Sequence, residues 1–110
     1  MKRGDLVTVA LTGDYGKPTP ALIVQSDAFD LHPSVTLLPL TSETHDTPLF
    51  RVTLQPGNGT GLRKVSQVMV DKTTTVPRDR VGRRIGRLDD VTLRSIDDAM
   101  KGFLALDEIL

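Results

Sequence analysis

The sequence predicts a mainly β protein, a strongly bent antiparallel sheet or partly open barrel finished by one C-terminal helix. Three observations carry this expectation. Five to seven short apolar, β-branched runs recur between Leu6 and Leu88. Glycine- and proline-rich turns separate them, most plainly Pro56-Gly57-Asn58-Gly59-Thr60-Gly61. Only after Leu88 does the apolar spacing become helical.

Taken in order, Leu6-Val7-Thr8-Val9-Ala10-Leu11 reads as a first strand. Gly13-Asp14-Tyr15-Gly16-Lys17-Pro18-Thr19-Pro20 is a polar loop. Pro18 and Pro20 fix their own φ and press Lys17 and Thr19 toward extended geometry, so this loop delivers a few polar side chains stiffly to the rim of a sheet. The floor of any site is expected here. Residues 20–26 are almost all apolar and predict a central strand. Residues 27–33 form a connector. Val35-Thr36-Leu37-Leu38-Pro39-Leu40 is a third strand, whose Pro39 suggests an edge position or a bulge. Residues 49–54 alternate, with Phe50, Val52 and Leu54 on one face and Arg51 and Thr53 on the other. Residues 62–70 read as a fifth strand and 73–76 as a short β-prone run. Pro77-Arg78-Asp79-Arg80 can open a helical turn, and residues 84–88 suggest another short strand. In the last segment Asp89 can cap a helix, Asp90 suits its first turn, and Leu88 and Leu93 bracket the cap as a staple. Leu93, Ile96, Met100, Phe103 and Leu104 form its apolar stripe.

Composition narrows the function. A chain of 110 residues with no cysteine predicts one domain, 1–110, without disulfides or thiolate chemistry. No run of about 18 apolar residues predicts a membrane span. Met1-Lys2-Arg3-Gly4-Asp5 does not lead into a signal-peptide core, so a cytoplasmic protein is expected. Net charge is zero, but its distribution is uneven: residues 78–87 hold five arginines against Asp79, and six acids against two bases follow from Asp89 onward. The basic run can track a nucleic-acid backbone, an acidic partner segment or the acidic helix itself. Four aromatic residues leave little for base stacking. No metal-ligand spacing, phosphate-cradling glycine motif or nucleophile elbow is present, so no metal or other cofactor is implied.

Five segments, in this order, resemble the MazF/PemK toxins of toxin–antitoxin pairs: Arg3-Gly4-Asp5-Leu6-Val7, Gly16-Lys17-Pro18-Thr19-Pro20-Ala21-Leu22-Ile23-Val24, Leu38-Pro39-Leu40-Thr41-Ser42, Ser66-Gln67-Val68-Met69-Val70-Asp71-Lys72 and Arg83-Arg84-Ile85-Gly86-Arg87-Leu88. The resemblance spans nearly the whole chain. It implies a small SH3-like antiparallel barrel with a C-terminal helix, working as a homodimer. It also implies a sequence-specific, metal-independent endoribonuclease acting on single-stranded RNA and neutralised by a cognate antitoxin. The related CcdB toxins share the fold but poison DNA gyrase. Their Trp-Gly-Ile tail is not matched by Ala105-Leu106-Asp107-Glu108-Ile109-Leu110, which leaves a CcdB-like gyrase poison as the alternative.

The departure lies at position 19. The resemblance implies a catalytic arginine there, and this chain has Thr19, which brings no positive charge to a phosphate. Either another group serves, or the arginine was replaced to make a lethal protein expressible; an attenuated enzyme is expected. Thr41 and Ser42 match the hydroxyl positions of the family site, where the resemblance implies a hydrogen bond to the phosphate, or else they form a Ser/Thr turn at a strand end. Lys17 is the nearest cation in sequence, or else a solvated loop lysine. Asp71 matches a position near the substrate, or is a strand-end residue. Gln67 can read a base edge or point to solvent. His45 follows the Thr41-Ser42 pair and titrates near neutrality, or is a surface histidine; His32 reads as connector. Asp14 is a further candidate for proton handling.

Overall fold

The computed structural model describes residues 1–11 and 17–106. Their seven strands are β1 Asp5–Val9, β2 Thr19–Ile23, β3 Ser34–Thr41, β4 Arg51–Leu54, β5 Ser66–Met69, β6 Thr74–Pro77 and β7 Val81–Arg87, followed by the helix α1 Asp90–Leu104. All pairings are antiparallel, in the order β4-β5-β3-β2-β1-β7, with β6 added on β3. The path has two ends, β4 and β7, so the barrel anticipated from the sequence is an open, strongly curled sheet.

Both faces of the central strands are covered, which is why they read as unbroken apolar runs rather than alternations. Leu6, Leu22 and Leu38 enter one core cluster with Leu40, Val68 and Ile96. Their neighbours Val7, Ala21, Ile23 and Leu37 enter a second, on the opposite side of the pleat. That second cluster also contains Val76 of β6 and touches Val81 of β7, strands with three others between them. The curl brings them together, and it also turns the far ends of the sheet toward one another.

Pro39 is not on an edge strand. β3 pairs with β2 along one side, and along its length meets β6 at 34–37 and β5 at 40–41. Pro39 falls between those two stretches, beside the 3-10 turn Val70–Lys72 that separates β5 from β6. A missing N–H costs little where the ladder already changes partner. The expected strand over 62–70 begins only at Ser66. A turn closes ahead of it: Gly57 N–H donates to Leu62 C=O at 3.2 Å and Gly61 N–H to Gly57 C=O at 2.8 Å. Gly61 has φ +70°, and a Cβ on it would stand 1.9 Å from the Ile85 carbonyl oxygen. Residues 59–61 therefore lie against β7, with Arg87 N–H donating to Gly59 C=O at 2.9 Å. They cover an edge that would otherwise present unpaired backbone groups. The run expected over 84–88 is the second half of β7.

The helix starts as anticipated. Asp89 accepts from the Thr92 N–H at 2.7 Å, and Leu88 and Leu93 pack in the same cluster. The cap bond holds the Asp89 carboxyl below its ordinary range. Ile96 is fully buried, and Leu93, Ala99 and Met100 pack beside it. The anticipated stripe runs out at its C-terminal end. Phe103 and Leu104 are about half exposed (48% and 45%). Phe103 meets the partly covered Phe50 ahead of β4, with ring centroids 6.0 Å apart. Ala105 closes the helix in the left-handed region at φ 57°.

Candidate functional site

A groove of about 630 Å³ runs between the start of β2, the end of β3 and the loop before β5, with β1 and β7 forming its far wall. Thr19, Thr41 and Ser42 all line it. The proline-stiffened approach and the Thr-Ser strand end thus share one cavity, because β2 and β3 are antiparallel neighbours and the end of one lies beside the start of the other. Leu40 and Leu62, both in the core, give it an apolar floor.

Each hydroxyl has a definite setting. Thr19 is half-buried, stands opposite Val9 in the β1–β2 register, and donates to the Val9 carbonyl at 3.4 Å, a long bond. Thr41 Oγ1 accepts from the Glu43 N–H at 3.1 Å, the turn geometry anticipated for a strand end. Its own proton stays available to a ligand, since a hydroxyl that accepts can still donate. Ser42 is exposed at the groove mouth.

Three cations line the same groove: Arg63 and Lys64 from the loop before β5, and Arg83 from β7. All are exposed, and none is paired with a carboxylate among the described residues. Arg63 and Lys64 fall within residues 62–70, which the sequence predicts as strand and the structure shows as strand only from Ser66, so their pattern does not mark them as site residues. The overlooked signal was a basic pair directly after the strongest turn of the chain. The basic run divides by position: Arg84 and Arg87 pair with Asp5, while the helix is tied instead by an ion pair between Arg3 and Asp97.

The other candidates lie outside the groove lining. Lys17 is exposed just ahead of Pro18. Asp71 is held by Arg51 through two hydrogen bonds of 2.8 and 3.1 Å, and that guanidinium keeps its carboxyl below the ordinary range. Gln67 is buried. Its amide accepts from the His45 N–H at 2.9 Å and donates to the His45 C=O at 2.8 Å, with a further 3.3 Å bond to Thr53 Oγ1. The His45 side chain is exposed, and it is this residue's backbone that is held. Gln67 thus clamps the loop that leaves Ser42. Gln67→Leu is expected to cost about 1–3 kcal/mol, because His45's backbone groups lose their partner. Chemical denaturation measures this. Asp14 lies outside the described residues. Among the described residues no cluster of three His, Asp or Glu side chains could hold a metal ion, and no helix is long and apolar enough to cross a membrane.

Residues 2–104 match the family model described as PemK-like, MazF-like toxin of type II toxin–antitoxin system. The chain belongs to the PemK/MazF toxin family. A Mycolicibacterium smegmatis protein named "Probable endoribonuclease MazF" is 46% identical over 107 residues, covering 96% of this chain and 98% of that one. Among solved structures, Mycobacterium tuberculosis toxin MazF-mt6 superimposes with a TM-score of 0.80 at 27% identity, over 94% of this chain and 99% of that one. A mycobacterial endoribonuclease in complex with its cognate antitoxin gives 0.81 at 25% identity, over 98% of each. The matches fall on the PemK/MazF branch, so the gyrase-poison alternative is not carried forward.

Proposed function

We propose that this MazF-like endoribonuclease toxin cuts single-stranded RNA at particular short sequences, by metal-independent attack of the RNA's own 2′-hydroxyl, and at a reduced rate because position 19 lacks a guanidinium. The observation that carries the reading is the shared groove: Thr19, Thr41 and Ser42 stand over one apolar floor with three cations that pair with no carboxylate among the described residues. A phosphodiester fits that chemistry, because cations and hydroxyl donors both stabilise negative charge on phosphoryl oxygens. In the reaction the 2′-oxygen forms a bond to phosphorus and the bond from phosphorus to the 5′-oxygen breaks. The 2′ proton leaves to a base and the 5′-oxygen takes one up, so the products are a 2′,3′-cyclic phosphate and a 5′-hydroxyl. Thr41 and Ser42 donate to the phosphoryl oxygens. Water in the open groove carries the two protons. The toxin works as a cytoplasmic homodimer, and a cognate antitoxin neutralises it by covering this groove.

The test is cleavage of a mixed-sequence single-stranded transcript in EDTA, with sequencing of the RNA ends. Cuts at a recurring short motif that end in cyclic phosphate, and that vanish when the nucleotide 5′ to the cut is 2′-deoxy, are expected. Cleavage that persists on the 2′-deoxy substrate would overturn the mechanism.

A further inference from the structure

Resting on the reading of the groove given above, we propose that Arg83 is the guanidinium that meets the scissile phosphate in this chain, supplying from β7 the charge that position 19 does not supply from β2. The other arginines of the basic run are engaged. Arg84 Nε and an Arg87 Nη donate to Asp5 Oδ1 at 3.2 and 2.9 Å. Arg78 Nε donates to the His32 carbonyl at 2.8 Å, and Arg80 reaches the Ala10 carbonyl at 3.4 Å. Arg83 alone of the run lines the groove.

Its backbone is held against Thr8 of β1. Arg83 N–H donates to Thr8 Oγ1 at 3.2 Å, and Thr8 faces Pro20, the residue after Thr19, across the β1–β2 register. Gly82 lets β7 approach, since a Cβ there would stand 2.3 Å from Thr8 Oγ1. Adjacent strands lie about 4.8 Å apart, so β7 runs about 10 Å from β2 with only β1 between. An extended arginine crosses most of that span, over a threonine small enough to let it pass. A guanidinium on a strand is also better positioned for charge developing at one atom than a loop cation is. Arg63 and Lys64, on their loop, serve the flanking phosphates and set the salt dependence of binding.

The experiment uses the full chain and the mixed-sequence transcript in EDTA, with Arg83→Ala and Arg83→Lys placed both in the unaltered chain and in Thr19→Arg. Arg83 is exposed, so thermal melts should show all variants folded. Single-turnover cleavage at saturating enzyme should fall about 10²-fold for Arg83→Ala in the unaltered chain, at unchanged cut sites, with Arg83→Lys recovering part of it. In Thr19→Arg the loss should be less than about tenfold, because two guanidinia then serve the same oxygens. Arg63→Ala should instead weaken binding and flatten its salt dependence. Equal losses in both backgrounds, or a loss confined to binding, overturn the proposal. An unaltered chain that cuts nothing, while Thr19→Arg cuts, also overturns it and leaves the reading of the groove standing. A Thr19→Arg chain that cuts nothing sinks both.

Discussion

Thr19→Arg raises cleavage of single-stranded RNA in EDTA by about 10²-fold or more, the range that one well-placed donor to a developing oxyanion contributes. Little is lost in making the change. Thr19 holds only the long 3.4 Å bond to the Val9 carbonyl, and it opens onto a groove of about 630 Å³ that can take the larger side chain. Much is gained, because Pro18 and Pro20 stiffen the backbone on either side and the arginine starts from the first residue of β2. Its planar fork meets two phosphoryl oxygens at once, next to the free proton of Thr41. Thr19→Lys is the control: a point charge on a flexible stem should recover a smaller part of the gain. The gain should appear mainly in kcat, since the added contact strengthens as charge develops on the phosphate. An unchanged rate in a folded Thr19→Arg chain would show that position 19 is not where activity is limited.

How much of this site the sequence reveals depends on the range over which each part is determined. The pairing of the β2 start with the β3 end was legible, because stiff Pro-flanked residues and a Thr-Ser strand end are local signals and adjacent antiparallel strands bring them together. The helix start was legible for the same reason, with Asp89, Leu88 and Leu93 all within one turn. Arg63 and Lys64 were not, because their place depends on Gly61 seating against the Ile85 carbonyl, a contact made only once the sheet has curled. The sequence leaves Gln67 either to read a base edge or to point to solvent, because a glutamine in a strand has no preferred partner in sequence. Its partner is the backbone of His45, 22 positions away. Pro39 suggests an edge or a bulge because a strand pattern does not show that one side of β3 is shared between β5 and β6. The exposed end of the helical stripe depends on what packs against it, which no periodicity within α1 can show.

Asp5→Asn should destabilise the fold near neutral pH and lose its effect in acid. The Asp5 side chain is only 5% exposed and lies where the start of β1 meets the end of β7. Oδ2 accepts from the Lys2 N–H at 2.7 Å, and Oδ1 accepts from Arg87 at 2.9 Å and Arg84 at 3.2 Å. Burial alone would push its carboxyl up, but the Lys2 bond and the two guanidinia outweigh that and hold it below the ordinary range. Breaking a fully buried ion pair costs about 3–5 kcal/mol. Here the arginines are 58% and 42% exposed and can return to water, so about 2 kcal/mol is expected. A depressed carboxyl contributes stability that is complete above its unfolded value of about 3.9 and is lost as pH falls through the folded one. Urea midpoints of the two chains should therefore differ most from pH 6 to 7 and draw together below about pH 4. Asp71, held low by Arg51, weakens both chains over the same acid range, so only the difference between them isolates Asp5. A difference that persists unchanged at low pH would mean that the aspartate contributes through packing rather than charge. The clasp also joins β1 to β7, the strand that carries Arg83, so Asp5→Asn should reduce cleavage as well, even though Asp5 does not line the groove.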